Sequence, residues 1–243
     1  MKEVTDLNKV KEVAKRLLNV EVSESSSSPL VVSHPFTYTG VILLTDASKK
    51  SKYVDITKGT EGLQEWRNII SQKIDKANSV YEIYTLINVP YLLTFIKLTK
   101  NYLSVEDLSK ILGSGWPRLE FVGQDPNVTA KEIIKMFKDS DPELLMDSDE
   151  ISVMKRFDKT VTIYRGIDLK DEKSVHGLSW TIDKDVAKKY ASRFGRKGDV
   201  YRAKIDKSHI LAYLDLDGMA EVVVDPRFIK NIELVDDDEL ENE

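Results

Sequence analysis

Apolar residues at Val4, Leu7, Val10, Val13, Leu17 and Leu18 recur at spacings of three and four, with lysines on the other side of the wheel, and predict an amphipathic helix within residues 1–22. Such a stripe is the docking face of a helix that packs on its own chain or, alternatively, a segment that binds a partner. The polar, serine-rich run at residues 23–29 reads as an irregular linker. Short apolar runs separated by polar breaks between residues 30 and 56 predict a small β patch. From residue 61 to residue 157 the spacing becomes helical, with Leu63, Trp66, Ile69, Ile70 and Ile74 in one stripe and Ile133, Ile134, Met136 and Phe137 in another. Pro90, Pro117, Pro126 and Pro142 punctuate this stretch, and Asn127 or Thr129 and Asp141 have the side chains of helix N-caps. Beyond Thr160 the pattern turns to β-rich runs at residues 161–164, 178–180, 200–205, 210–213 and 220–224, interrupted by one helix over residues 183–193 with Val186, Ala187, Tyr190 and Ala191 on one face. The whole predicts an α+β chain: a mainly helical region at residues 30–157, a β core at residues 158–235 and a tail at residues 236–243. Regular βαβ alternation and a glycine-rich dinucleotide turn are both missing, which argues against a Rossmann fold.

Composition narrows the chemistry. Six acids, Asp236, Asp237, Asp238, Glu239, Glu241 and Glu243, crowd the last eight positions, and setting them aside leaves 35 acidic residues against 36 basic ones. A near-neutral body lacks the global positive field of a nucleic-acid binder, although Lys188, Lys189, Arg193, Arg196 and Lys197 form a local cluster. The tail reads as a solvated extension. With no cysteine and three scattered histidines there is no thiolate nucleophile and no metal-ligand spacing, so hydroxyl, carboxylate and guanidinium chemistry remain. The N-terminus lacks the form of a secretory signal, and the apolar stretch at residues 89–96 is too short to span a bilayer. The expectation is a protein of a reducing intracellular compartment without a membrane partner.

Three features of the last third carry candidate chemistry: Tyr164-Arg165-Gly166, Leu178-Ser179-Trp180-Thr181, and Glu221 at the head of Glu-Val-Val-Val. Taken singly, each has an ordinary alternative, namely a surface ion pair, a plain strand and a solvent-facing acid. Taken in order, they resemble the arginine, serine and glutamate signature of the ADP-ribosyltransferase superfamily, in the branch that includes many bacterial toxins. The segments Gly177-Leu-Ser-Trp-Thr, Asp185-Val-Ala-Lys-Lys-Tyr-Ala, Ile210-Leu-Ala-Tyr and Glu221-Val-Val-Val-Asp-Pro226 also resemble uncharacterised ADP-ribosyltransferase-like proteins of bacteria and their phages. The resemblance covers residues 160–235, and residues 116–150 look like the segment that precedes such a core.

The resemblance implies a split β core that takes NAD as substrate, without a metal, because a cationic pyridinium leaves without a Lewis acid. It implies transfer of ADP-ribose to a macromolecular acceptor, a protein in the first instance, in the cytoplasm of a bacterial or phage-infected cell. Glu221 would stabilise the oxocarbenium-like ribose, Arg165 would hold NAD with its planar fork, and Ser179 would fix the acid, with support from Thr181. Gly166 would let the backbone approach the ligand, Trp180 would line the site, and Tyr190 or Phe194 would stack on nicotinamide, Tyr190 being alternatively a core aromatic. His176 reads as an exposed loop residue. Arginine-modifying members carry a second acid two residues before the glutamate, where this chain has Met219; Asp215 and Asp217 nearby read first as turn formers. An NAD glycohydrolase and a non-catalytic NAD-binding or phage structural module are the alternatives.

Overall fold

The computed structural model describes residues 2–25, 28–45, 50–119, 125–167, 175–193, 195 and 198–236. The chain is mixed helix and sheet, an α+β arrangement, and divides within one helix into two compact units, residues 1–111 and 112–243. No helix among the described residues is long and apolar enough to cross a membrane.

The first unit opens with α1 (Leu7–Leu18), which starts three residues later than the apolar stripe because Asp6 caps it, accepting from the Lys9 amide at 3.2 Å. Val4 is left 78% exposed. The helix buries Val10, Val13, Ala14, Leu17 and Leu18, and so docks on its own unit against α2 (Thr60–Lys76), α3 (Val80–Tyr84) and α4 (Leu92–Thr99). The serine-rich stretch is a hairpin arm rather than a linker at its described positions. β1 (Ser23–Ser25) pairs antiparallel with β2 (Ser28–His34), which pairs in turn with β3 (Thr37–Thr39). Backbone ladder bonds need no apolar side chain, which is why serines serve as strand here. β4 (Val41–Thr45) and β5 (Ser51–Asp55) form a second hairpin. His34, at the end of β2, is wholly buried and meets the Trp66 ring edge-on, with centroids 5.0 Å apart.

The units divide inside α5 (Val105–Gly115), so the unit that holds the large sheet begins at Leu112 and not at residue 158. Gly113 permits a close approach: a Cβ there would sit 2.1 Å from the Leu145 carbonyl oxygen. α6 (Ala130–Asp139) is started by a capping box of Thr129 and Glu132; α7 (Pro142–Leu145) and α8 (Ser148–Arg156) are capped by Asp141 and Asp147. Thr129, not Asn127, is therefore the cap.

The strands β6 (Thr160–Ile167), β7 (Ser179–Thr181), β8 (Asp199–Asp206), β9 (Ile210–Leu214), β10 (Glu221–Val224) and β11 (Lys230–Leu234) form one antiparallel sheet in the order β11-β8-β6-β7-β10-β9. β6 and β8 are in register from Thr160 opposite Asp206 to Ile167 opposite Asp199, whereas β6 meets β7 through the single pair Tyr164 and Thr181. Two well-paired triplets are thus joined at one point. α9 (Lys184–Ser192) packs on β6, with Ala187 and Ala191 clustering around Val200, Val235 and Tyr164. β11 has no counterpart among the strands read from the sequence, and of the acidic tail only Asp236 is described.

Candidate active site

Glu221 opens β10, where it lies opposite Thr181 of β7 and Leu214 of β9, and two residues on Val223 lies opposite Ser179. Side chains alternate along a strand, so Glu221, Ser179 and Thr181 project from one side of the sheet while Trp180, paired with Val222, projects from the other. The Ser179 hydroxyl hydrogen-bonds to the Glu221 carboxyl, and Arg165, arriving from β6, acts on the same carboxyl as the nearby positive charge. The Arg165 Nη1 also donates to the backbone oxygen of Ser179. A Cβ on Gly177 would lie 2.6 Å from the Arg165 Cζ, so the glycine makes room for the guanidinium. Residues 165, 179 and 221, widely separated in sequence, therefore form one polar constellation.

A fourth member was not foreseen as a site residue. The indole Nε1 of Trp116 donates to Oε1 of Glu221 at 2.8 Å. Trp116 lies in the 3-10 turn Trp116–Arg118 directly after α5, is 1% exposed, and is held edge-to-face by Phe137 of α6, with ring centroids 4.8 Å apart. Its sequence signal was only the general likeness of residues 116–150 to a segment preceding such a core.

Burial pushes the Glu221 carboxyl above its ordinary value, against the pull of the Ser179 hydroxyl, the Trp116 indole and the Arg165 charge.

The turn before Glu221 is left-handed at Asp217, Gly218 and Ala220, with φ of 55°, 75° and 44°. For Ala220 this is a strained conformation, and its peptide groups are pinned on both sides. Its amide donates to Asp215 Oδ1 at 2.9 Å, while its carbonyl accepts from the Thr181 hydroxyl and the Ile182 amide, each at 3.1 Å. The Thr181 hydroxyl also reaches the Met219 carbonyl at 2.9 Å and accepts from the Asp183 amide at 3.0 Å. Thr181 thus holds the backbone that presents Glu221. Asp215 holds the same turn.

Other expected ligand residues are placed elsewhere. Trp180 is buried, its indole donating to the Gly177 carbonyl at 3.0 Å, so it anchors the loop that carries Gly177. Gly166 serves packing: a Cβ there would lie 2.0 Å from the Ala187 carbonyl oxygen and 2.6 Å from the Ala191 amide, so its lack of a side chain seats α9 on β6. Tyr190 is 39% exposed, with the Arg193 guanidinium 5.3 Å from its ring centroid, and is not a core aromatic. Phe194 lies outside the described residues, as do Arg196 and Lys197. His176 is exposed.

Comparison with protein-family models, with curated proteins and with solved structures finds no match to this chain.

Proposed function

We propose that the chain is an NAD-dependent ADP-ribosyltransferase whose acid is Glu221. The observation that carries this reading is the convergence of Arg165 and Ser179 on the Glu221 carboxyl, from β6 and β7, the strands that meet at the joint of a divided sheet. It supports the likeness to the Arg, Ser, Glu branch drawn from the sequence, with NAD as substrate and a macromolecule, a protein in the first instance, as acceptor.

The chemistry of the residues fits that substrate. Breaking the bond between the ribose C1′ and the nicotinamide nitrogen sends the electron pair to the ring, which leaves neutral, and positive charge builds on the ribose. Glu221, ionised, stabilises that charge. Arg165 supplies a fixed fork for the anionic part of the dinucleotide, and Ser179 fixes the carboxyl rotamer. The acceptor then bonds to C1′ and gives up its proton.

Met219 stands two residues before Glu221 and is 39% exposed, so no carboxylate occupies the position from which an acceptor guanidinium would be activated. An acceptor other than arginine follows, and water as acceptor, giving an NAD glycohydrolase, is the second reading.

The test is release of nicotinamide from labelled NAD by the full chain and by Glu221→Gln in a cell lysate. The expected loss in the variant is about 10²- to 10³-fold in turnover, the usual cost of one preorganised electrostatic contact. Label on a discrete macromolecule marks the transferase, and free ADP-ribose alone marks the glycohydrolase. Nicotinamide release that is absent, or equal in both proteins, overturns the reading.

A further inference from the structure

We infer that Trp116 is a positioning residue for the candidate acid: its indole N–H fixes Glu221 through Oε1 from an element outside the sheet. The inference rests on the reading of Glu221 as the acid of NAD cleavage.

The geometry is that of a built contact. The donor and acceptor lie 2.8 Å apart across 105 positions of chain, and the indole is buried rather than resting on the surface. Three features hold the ring. The C-terminal turn of α5 approaches α7 at Gly113, the 3-10 turn with Pro117 stops the helix at Trp116, and Phe137 supports the ring edge-to-face. An indole donates and never accepts, so it favours the ionised carboxylate over the neutral acid and restrains its rotamer. The Ser179 hydroxyl also favours the ionised form by donating, but unlike the indole it can turn to accept from the neutral acid. The charged group acting on Glu221 is Arg165 from β6; Thr181 and Leu214, opposite it on β7 and β9, carry no charge. Trp116 therefore joins Ser179 and Arg165 in favouring the ionised form of an acid that burial works to neutralise, and it is the member of the three that donates from outside the sheet.

The chain has three tryptophans, Trp66, Trp116 and Trp180, so the indole N–H resonances of ¹⁵N-tryptophan-labelled full-length protein can be followed individually with pH. One resonance, assigned by its loss in Trp116→Phe, is expected to titrate in the wild type and to stand still in Glu221→Gln. If the Trp116 resonance does not follow Glu221, the inference is overturned, whatever the protein does to NAD. In nicotinamide-release kinetics, Trp116→Phe is expected to lower kcat about tenfold or more, as for loss of a hydrogen bond to a charged group, and to leave KM for NAD within about twofold. Its acid limb should move to higher pH, while that of Phe137→Leu, which loosens the packing and keeps the donor, stays in place. Wild-type kcat and an unmoved acid limb in Trp116→Phe overturn the inference. A wild-type protein that releases no nicotinamide overturns the proposed function alone, since the indole titration still decides the contact.

Discussion

At the scale of single residues, the cost of holding Glu221 is itself measurable. Its folded-state carboxyl titrates above the ordinary value because burial disfavours the charge. A raised folded value means that the native state binds the proton more tightly than the unfolded chain does. The associated stability is fully present below the unfolded value near 4.5 and is lost as pH rises through the folded value. Glu221→Gln keeps an acceptor for Trp116 and removes the buried charge. It should therefore melt higher than the wild type at pH 7, by roughly 2–4 °C per kcal/mol recovered, with the advantage disappearing near pH 4. An advantage that persists unchanged at pH 4 would deny that the charge is its source. Thr181→Val should have the opposite sign. It leaves the Met219 carbonyl short of a donor and the Asp183 amide short of an acceptor, while Ala220 keeps the Ile182 amide, at about 1–3 kcal/mol, read as a lower urea midpoint. Arg165, Ser179 and Glu221 were legible in sequence because their chemistry and order carry information. Trp116 was not, since nothing local ties a tryptophan after Gly-Ser-Gly to an acid 105 positions onward.

At the scale of elements, α9 on β6 is set by what is missing from Gly166 and Gly198. A Cβ on Gly198 would lie 2.2 Å from the Ile167 carbonyl oxygen and 2.3 Å from that of Ala191, so the middle and the C-terminal end of the helix approach strand or turn more closely than any side chain permits. Gly166→Ala is expected to push α9 outward and cost about 1–3 kcal/mol, the range for overpacking, visible as reduced hydrogen-exchange protection confined to α9 and the neighbouring part of β6. Protection equal to wild type would show that the helix seats without the glycine. The sequence reading placed Gly166 beside the ligand because a glycine after a signature arginine suggests backbone approach to substrate. The approach is real, but it is made by a helix. Strands with buried faces, such as β8 and β10, were visible through their valines and isoleucines. β1 and β11 were not: one is a run of serines and a glutamate, and the other exposes four of its five residues on the sheet edge.

At the scale of the whole chain, the division falls inside α5, where Leu108, Ile111 and Leu112 are all buried and the apolar pattern runs on without a break. The nearby Gly113-Ser114-Gly115 lies inside and at the end of the same helix and did not read as a division, so the pattern put the boundary at the later change from helix to strand. The two units carry buried titrating groups of opposite sign. In the second, protonating Glu221 relieves the fold. In the first, burial pushes His34 down from 6.5 to about 4, helped by the Arg67 charge and opposed by the backbone carbonyls of Leu18 and Val20. The folded first unit thus refuses a proton that the unfolded chain accepts. Its His34-dependent stability is complete above pH 6.5, falls as pH drops below it, and is fully lost once pH passes about 4. Between pH 7 and pH 5 the loss should be about 2 kcal/mol, at 1.36 kcal/mol per pH unit below the unfolded value. Asp55 of the same unit is already held below the ordinary carboxylate value and does not compete in that window. Urea unfolding followed at the indole of Trp66 should therefore show a midpoint that falls from pH 7 to pH 5. In His34→Phe the same midpoint should hold steady, even if that variant starts lower. Equal falls in both proteins would assign the acid sensitivity of this unit to groups other than His34.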